Sequence, residues 1–213
     1  MKRINNLFDK ICSIENLELA DERARKGKKG TYGVRVHDHS RESNIKSLHE
    51  SLINGLFKTS EYDIFKIYEP KERIIYRLPY YPDRIVHHAI MNIMKPIFVN
   101  TFTADTYSCI ENRGIHLAAK RLKNVLRKDS DFCKYCLKID IKKFYPSVDH
   151  GVLKSLLRRK IKDVGLLSLL DEIIDGADGL PIGNYLSQYL SNYMLCFFDH
   201  KVKEVYKVKH YFR

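Results

Sequence analysis

The stretch KIDIKKFYPSVDH, residues 138–150, decides how the chain is read. It closes a short alternation, YCLKID (135–140), in which Tyr135, Leu137 and Ile139 fall on one face and Cys136, Lys138 and Asp140 on the other. Period-two alternation of β-forming residues predicts a strand with Asp140 at its C-terminal end. Pro146 then starts a turn, and Asp149 is placed to cap a helix carrying Val152, Leu153, Leu156 and Leu157. A carboxylate at a strand end is held by backbone on one side and faces open space on the other. Its hard oxygens suit Mg²⁺, the ion used where phosphates react because it bridges their oxygens and offsets developing charge. A lone Asp more often caps a turn or pairs with a base, and Lys142 and Lys143 can serve an anionic substrate or simply face water.

Working outward, the spacing predicts an amphipathic helix from Leu7 to about Ala24, ended by the basic run RKGKKG (25–30), a loop that either touches phosphates or is merely solvated. HDH at 37–39 has the residue types of a metal phosphohydrolase without the further His and Asp such sites need. Ser40 reads as an N-cap for a helix over 41–57 with Ile45, Leu48, Leu52, Ile53 and Leu56 at helical spacing. YDIFKIYEPKERIIYRLP (62–79) reads as two strands joined by a turn at Glu69, Pro70, Lys71 and Glu72. Its cations Lys66, Lys71, Arg73 and Arg77 either protect a sheet edge or grip a triphosphate.

Pro82 suits the first turn of a long helix over 83–100 with two apolar stripes, in which Pro96 should kink the helix or end its regular part near Met94. His87 and His88 read there as packing or surface residues. A further amphipathic helix over 114–126 is expected to turn Ile115, Ala119, Leu122 and Leu126 inward and Lys120, Arg121 and Lys123 outward. VGLLSLLDEII (164–174) predicts another helix, closed by the loop DGADGLPIGN (175–184); a last helix runs from Asn184 to about Val202, and VYKVKHYFR (205–213) alternates like a strand. Helices dominate with a few strands interspersed, so the class is α+β.

With 213 residues and 44% hydrophobic content the chain can fill a core. Lys and Arg number 38 against 26 Asp and Glu, a net +12 that favours a polyanion. The bases are spread along the chain and mixed with 14 tyrosines, which points to nucleic acid ahead of a membrane surface. No apolar run approaches the ~18 residues of a membrane span, and the N-terminus turns charged too soon for a signal peptide, so a cytoplasmic location is expected. The five cysteines are odd in number and scattered; Cys133 and Cys136 form one CxxC with no second pair at zinc spacing, and read as reduced thiols ahead of a metal site.

Three ordered motifs over about residues 60–213 resemble those of bacterial reverse transcriptases of the diversity-generating retroelement and group II intron-like type. In the first, DIKKFYPSV, the resemblance implies that Asp140, with Ile141 beside it, binds the catalytic metal, and that Tyr145 lies beneath the incoming sugar, where a flat ring leaves no room for a 2′-hydroxyl. In the second, GLPIGNYLSQ (179–188), Ile182 stands where the family usually has glutamine, and Gln188 follows Ser187 where proline is usual. These departures resemble diversity-generating enzymes, in which loss of the glutamine goes with poor fidelity opposite template adenines; Ile182, Gly183 and Gln188 are implied nucleotide contacts. In the third, EPKERIIYRLPYYPDRIVHHAI followed by DTYSCIENRGIHLAAKRL, Lys71 and Arg73 match triphosphate-binding positions, although the step from Arg73 to Pro79 is one residue longer than usual. Arg84 and Arg113 match positions near the template.

The resemblance implies a right-hand polymerase: an N-terminal helical extension (1–59), fingers (60–133) and a partial palm (134–213) with a small antiparallel sheet. It implies Mg²⁺, or Mn²⁺, as cofactor; an RNA template, a DNA or RNA primer and dNTPs as partners, with an accessory protein in some cases; and no membrane. In the family the strand resembling KHYFR leads into tyrosine, any residue and two aspartates, which would lie beyond Arg213, so this stretch by itself is expected to be inactive. Other readings are a phage-defence reverse transcriptase, a basic RNA-binding module without chemistry, and a structural helical protein.

Overall fold

The computed structural model describes residues 3–68 and 70–213. In chain order the elements are α1 (Phe8–Cys12), α2 (Ile14–Ala24), α3 (Tyr32–Asp38), α4 (Arg41–Ile53), β1 (Asp63–Tyr68), β2 (Glu72–Arg77) and α5 (Ile85–Val99). They continue with α6 (Ile115–Lys128), α7 (His150–Lys160), α8 (Val164–Asp175) and α9 (Tyr185–His200). The helix-rich chain with one two-stranded antiparallel sheet is α+β, as its periodicities predict. Two compact units divide it: Met1–Lys95 with Tyr145–Ser187, and Pro96–Phe144 with Gln188–Arg213.

In the first unit the expected N-terminal helix is broken at Ser13, which is extended (φ −58°, ψ 145°) and accepts the Asn16 N–H at 3.3 Å. A serine oxygen that can bond nearby backbone favours capping over continuing a helix. Ser40 occupies the N-cap position of α4 without a side-chain cap bond, and α4 buries Ile45, Leu48 and Leu52. It stops before the expected Phe57, because Gly55 takes the left-handed conformation (φ +66°) that ends helices, leaving Ile53 and Leu56 exposed.

Asp21 ties these helices to the turn before α5. It is fully buried and accepts from Arg25 at 2.6 Å, Arg41 at 2.6 Å and the Tyr80 hydroxyl. Burial alone would raise its pKa; hydrogen bonds from His37, Tyr80, Arg41 and Arg25 outweigh that and hold it below the usual carboxylate range.

The hairpin forms as read, with Ile67 opposite Arg73 and Tyr68 opposite Glu72; of its turn, Glu69 lies outside the described residues. Pro82 does not open the long helix. It sits in a wide turn, Tyr80–Arg84, in which Tyr81 is extended (φ −108°, ψ 135°), the conformation a following proline imposes. Regular helix starts at Ile85 and, contrary to the expected end near Met94, runs through Pro96 to Val99. The lost N–H costs one backbone bond, which burial of Phe98 offsets. Asp149 caps α7 by accepting the Val152 N–H at 2.7 Å; α7 buries Leu153, Leu156 and Leu157 but leaves Val152 exposed. Asp163 caps α8 and also accepts the main-chain N–H groups of Leu7 and Phe8 at 2.6 and 3.0 Å.

The second unit is built on aromatics: Phe98 packs against Tyr193 and Tyr189, with centroids 5.3 and 6.4 Å apart. Buried Asp199 accepts from Arg213 Nε at 2.8 Å and the Tyr211 hydroxyl at 2.6 Å. Three expectations fail here. Residues 135–140 form no strand: Tyr135, Leu137 and Ile139 alternate as predicted but stand 94, 85 and 68% exposed. A strand exists only when a neighbour pairs its backbone groups, and among the described residues no segment does so for 135–141. Residues 205–213 are likewise irregular after a wide turn at Lys201–Val205, with two backbone bonds joining Arg213 to Tyr107 (2.6 Å) and Asp105 (2.9 Å). The hairpin is therefore the one sheet among the described residues, and the expected palm sheet is absent from them. Helix α6 forms, but Ile115, Ala119, Leu122 and Leu126 face outward; its half-buried side is Leu117, Ala118 and Val125. Periodicity identifies an apolar stripe, and only a packing partner can cover it.

Candidate active site

The hairpin carries four cations, and its fold separates them into two kinds. Lys66 pairs with Glu72 at 2.8 Å and Arg77 pairs with Asp63, so both charges are compensated locally. Lys71 and Arg73 are exposed, and among the described residues neither has an ionic or hydrogen-bonded partner. Two uncompensated cations at the tip are what an anionic ligand can use.

The second motif closes on this hairpin. The Tyr76 N–H donates to the Ile182 carbonyl at 2.9 Å, and Gly183 (φ +118°) lies so near β2 that an added Cβ would stand 2.9 Å from the Tyr76 carbonyl oxygen. On its other side the loop closes on the first motif: the Leu180 N–H donates to the Tyr145 carbonyl at 2.8 Å. Gly179, at φ +63°, approaches closer still, since a Cβ there would sit 2.5 Å from the Tyr145 oxygen and 2.7 Å from Pro146 Cα. Residues 179–183 are thus clamped between β2 and the short turn Tyr145–Ser147. Parts of the three motifs, namely the hairpin, residues 145–147 and residues 179–183, meet within the first unit.

His150 and Asn184 hold this loop from either end. One His150 ring nitrogen, Nε2, lies 2.8 Å from the Gly179 carbonyl; Asn184 donates to the Tyr62 hydroxyl at 3.2 Å. Burial pushes the Tyr62 phenol up to about 12, so it stays protonated at neutral pH, and its ring meets Tyr76 edge-on at 5.7 Å. Neither His150 nor Asn184 was marked by spacing alone. The usable signal is Gly179 and Gly183 in DGADGLPIGN, since a loop that needs left-handed residues often passes close to other backbone.

Asp140 lies in the irregular segment of the second unit. Its carboxylate is exposed and, among the described residues, has no base beside it and no hydrogen-bond donor. Ile141 next to it is 47% exposed. A free carboxylate with a neighbouring main-chain carbonyl has the hard-oxygen chemistry that Mg²⁺ prefers, but among the described residues no three His, Cys, Asp or Glu side chains gather into a metal site. Tyr145 is half-buried at the start of its turn.

The remaining sequence candidates fall in two places. Arg84 is half-buried before α5 in the first unit; burial and the nearby Arg77 charge lower its pKa. Arg113, in the second unit, donates to the carbonyls of Thr103 at 2.9 Å and Thr106 at 3.0 Å, bracing that loop. Gln188 is half-buried on α9, where its carbonyl accepts from the Ser191 hydroxyl at 2.8 Å. Cys133 and Cys136 are free thiols, and no described helix is long and apolar enough to cross a membrane.

No family model matches the chain. It is similar to Protein YkfC of Escherichia coli, with 28% identity over 156 residues, which span 66% of this chain and 41% of the relative. It is also similar to nuclear intron maturase 4, mitochondrial, of Arabidopsis thaliana, 28% identical over 167 residues that span 73% of this chain and 20% of the relative. The group II intron-encoded protein LtrA of Lactococcus lactis is 23% identical over 167 residues, 72% of this chain and 27% of the relative. The chain thus spans less than half the length of these curated relatives.

Proposed function

From a chain that resembles group II intron-encoded reverse transcriptases and maturases, we propose an RNA-directed DNA polymerase that adds dNTPs to a primer 3′ end on an RNA template. The carrying observation is the clamp around residues 179–183, which joins Tyr145, the nucleotide-side loop and the hairpin that carries Lys71 and Arg73, neither of them ion-paired among the described residues. In this reading the boundaries are those of an N-terminal extension, fingers and part of a palm. Lys71 and Arg73 hold the triphosphate. Tyr145 stacks beneath the sugar and excludes a 2′-hydroxyl, and the Ile182–Gly183 backbone, held to β2, fixes the floor of the nucleotide pocket. Ile182 supplies no polar group to brace the nucleotide, which favours tolerance of mismatches. Gln188, one turn along α9, belongs to the same motif, and Arg113 steadies a loop on the template side.

Mg²⁺, or Mn²⁺, would be held in part by Asp140 and the Ile141 carbonyl, and when bound would offset charge on the reacting phosphates. The remaining ligands would have to come from outside the described residues, since no cluster of three forms among them. That same observation favours a second reading, a basic RNA-binding module without chemistry. Primer extension by the complete enzyme, with RNA template, dNTPs and Mg²⁺, separates the two. Incorporation that disappears in Asp140→Asn supports the polymerase, whereas its absence from wild type supports the module.

Two smaller effects follow. Tyr145→Val in the complete enzyme is expected to relax discrimination against ribonucleotides by roughly 10–100-fold, the scale of one lost shape contact. Single-nucleotide kinetics with dCTP and CTP read it, and an unchanged ratio removes the steric role. Lys71→Ala and Arg73→Ala should each raise KM for dNTPs about tenfold with little change in kcat, as expected for a charge-assisted contact made equally in ground and transition states. If both KM values stay at wild type, the triphosphate is held elsewhere.

A further inference from the structure

The first unit contains a basic cluster for which no salt bridge forms among the described residues. Arg84 is half-buried, and among the described residues no carboxylate or carbonyl accepts its guanidinium. His88 and Asn92 follow at four-residue steps on the same helical face. The His88 ring stacks on Tyr185 at the start of α9, with centroids 4.9 Å apart and planes inclined by 30°. Arg23 reaches this face from α2, its Nη1 2.5 Å from Asn92 Oδ1. Lys28, on the loop after α2, adds its charge to the field at His88. Burial first, then the charges of Arg84, Arg23 and Lys28, push the His88 imidazole down to about 4. Beneath it His87 is 3% exposed with Nε2 unpartnered, pushed down to about 3 by burial and by His88 and Arg84. Positive groups from α2, its following loop and the turn before α5 therefore act on one imidazole. The hairpin's Arg77 adds its field at Arg84, although its own charge is paired with Asp63.

Uncompensated bases from three segments cost stability through mutual repulsion and are retained where an anion joins them. We propose that Arg84, His88, Arg23 and Lys28 form a phosphate subsite for a nucleic-acid backbone, and that His88 takes up a proton as the phosphodiester docks. Arg84 supplies a planar fork for phosphate oxygens, Arg23 and Lys28 supply charge, and Tyr185 fixes the imidazole plane and favours its cationic form. The phosphate replaces repulsion at His88 by attraction, so the bound state holds the proton to higher pH than the free state. Between those two values affinity rises as pH falls, by at most about tenfold per pH unit for one proton. The subsite rests on the nucleic-acid reading of the proposed function, not on catalysis.

The full 213-residue chain and an oligouridylate of roughly 12 nucleotides test it, because neither uracil nor phosphodiester titrates between about pH 5.5 and pH 8. Wild type should bind more tightly toward the acid end, and the His88 imidazole resonance should shift on adding RNA. His88→Phe, which keeps the ring stack, should lose that share of the pH dependence, so that its affinity falls increasingly below wild type toward the acid end. Arg84→Met should weaken binding about tenfold or more at both ends of the range, with partial recovery in Arg84→Lys. Equal pH slopes for wild type and His88→Phe, or an unmoved His88 resonance on saturation, overturn the proposal without relying on a variant that might misfold. Displacement of the oligonucleotide by equimolar dTTP, with the same His88 shift, reassigns the subsite to a triphosphate and overturns the backbone assignment. Primer extension by the complete enzyme is read separately: its failure alongside intact pH-linked binding sinks the polymerase reading and leaves this subsite standing.

Discussion

Asp140→Asn in the complete enzyme is expected to lower nucleotide incorporation by on the order of 10³-fold or more while leaving the fold of this chain unchanged. Both halves follow from the same local facts. The carboxylate is exposed, caps nothing and pairs with nothing among the described residues, so its removal takes no interaction from the folded state. Surface substitutions of that kind stay within about 0.5 kcal/mol. The loss of rate, by contrast, is that of an electrostatic contact made to charge developing at the reacting phosphate, where a single group is commonly worth about 10²–10³-fold and a metal ligand more. Primer extension and thermal unfolding of the same variant measure the two halves. A variant that unfolds early and retains incorporation would make Asp140 a structural residue. Removing one negative charge should also leave salt-dependent RNA binding intact or slightly tighter, which guards against confusing lost binding with lost chemistry.

Gly179→Ala is expected to do the opposite: to destabilise the first unit by about 3 kcal/mol and to disturb the nucleotide pocket as a consequence. Two costs combine. At φ +63° an alanine pays the left-handed penalty, about 1 kcal/mol. The new Cβ also meets the Tyr145 carbonyl oxygen at 2.5 Å and Pro146 Cα and O at 2.7 Å, all backbone atoms that no rotamer change can move aside. Overpacking of that kind typically adds 1–3 kcal/mol. For a chain of this size the sum corresponds to a fall in melting temperature on the order of 10 °C. Calorimetry on this chain checks it, with Gly27→Ala as a control. Gly27 is also left-handed, at φ +73°, but has no atom within 4 Å of the added Cβ, so it pays only the conformational cost. Equal losses at the two glycines would mean that the clamp on Tyr145 relaxes freely and does not position it.

These variants also show how much was legible beforehand. The hairpin was readable because β-branched and aromatic residues alternate on both sides of a Pro-containing turn, a purely local signal. Asp149 as the cap of α7 is likewise decided within one turn of helix. The family resemblance singles out Lys71 and Arg73, but the charge pattern of the hairpin alone does not distinguish them from Lys66 and Arg77. That difference arises across the hairpin, where Asp63 stands opposite Arg77 and Glu72 reaches Lys66 diagonally, two residues off its ladder partner Ile74. The same limit explains the errors on α6 and on residues 135–140. Their apolar patterns are real, yet a stripe or an alternation records which side seeks cover and contains no information on whether another segment supplies it.

The sequence by itself determined the α+β class and the placement of most helices, because hydrophobic period, capping and turn chemistry act over a few neighbouring residues. Only the tertiary structure decided that loop 179–183 joins the hairpin to Tyr145, and that Arg23, reaching Asn92, is brought to the helix that carries His88 stacked on Tyr185. Contacts between segments far apart in the chain depend on how buried backbone groups find partners and how close two backbones can pass. Those are properties of the packed molecule rather than of any window of its sequence.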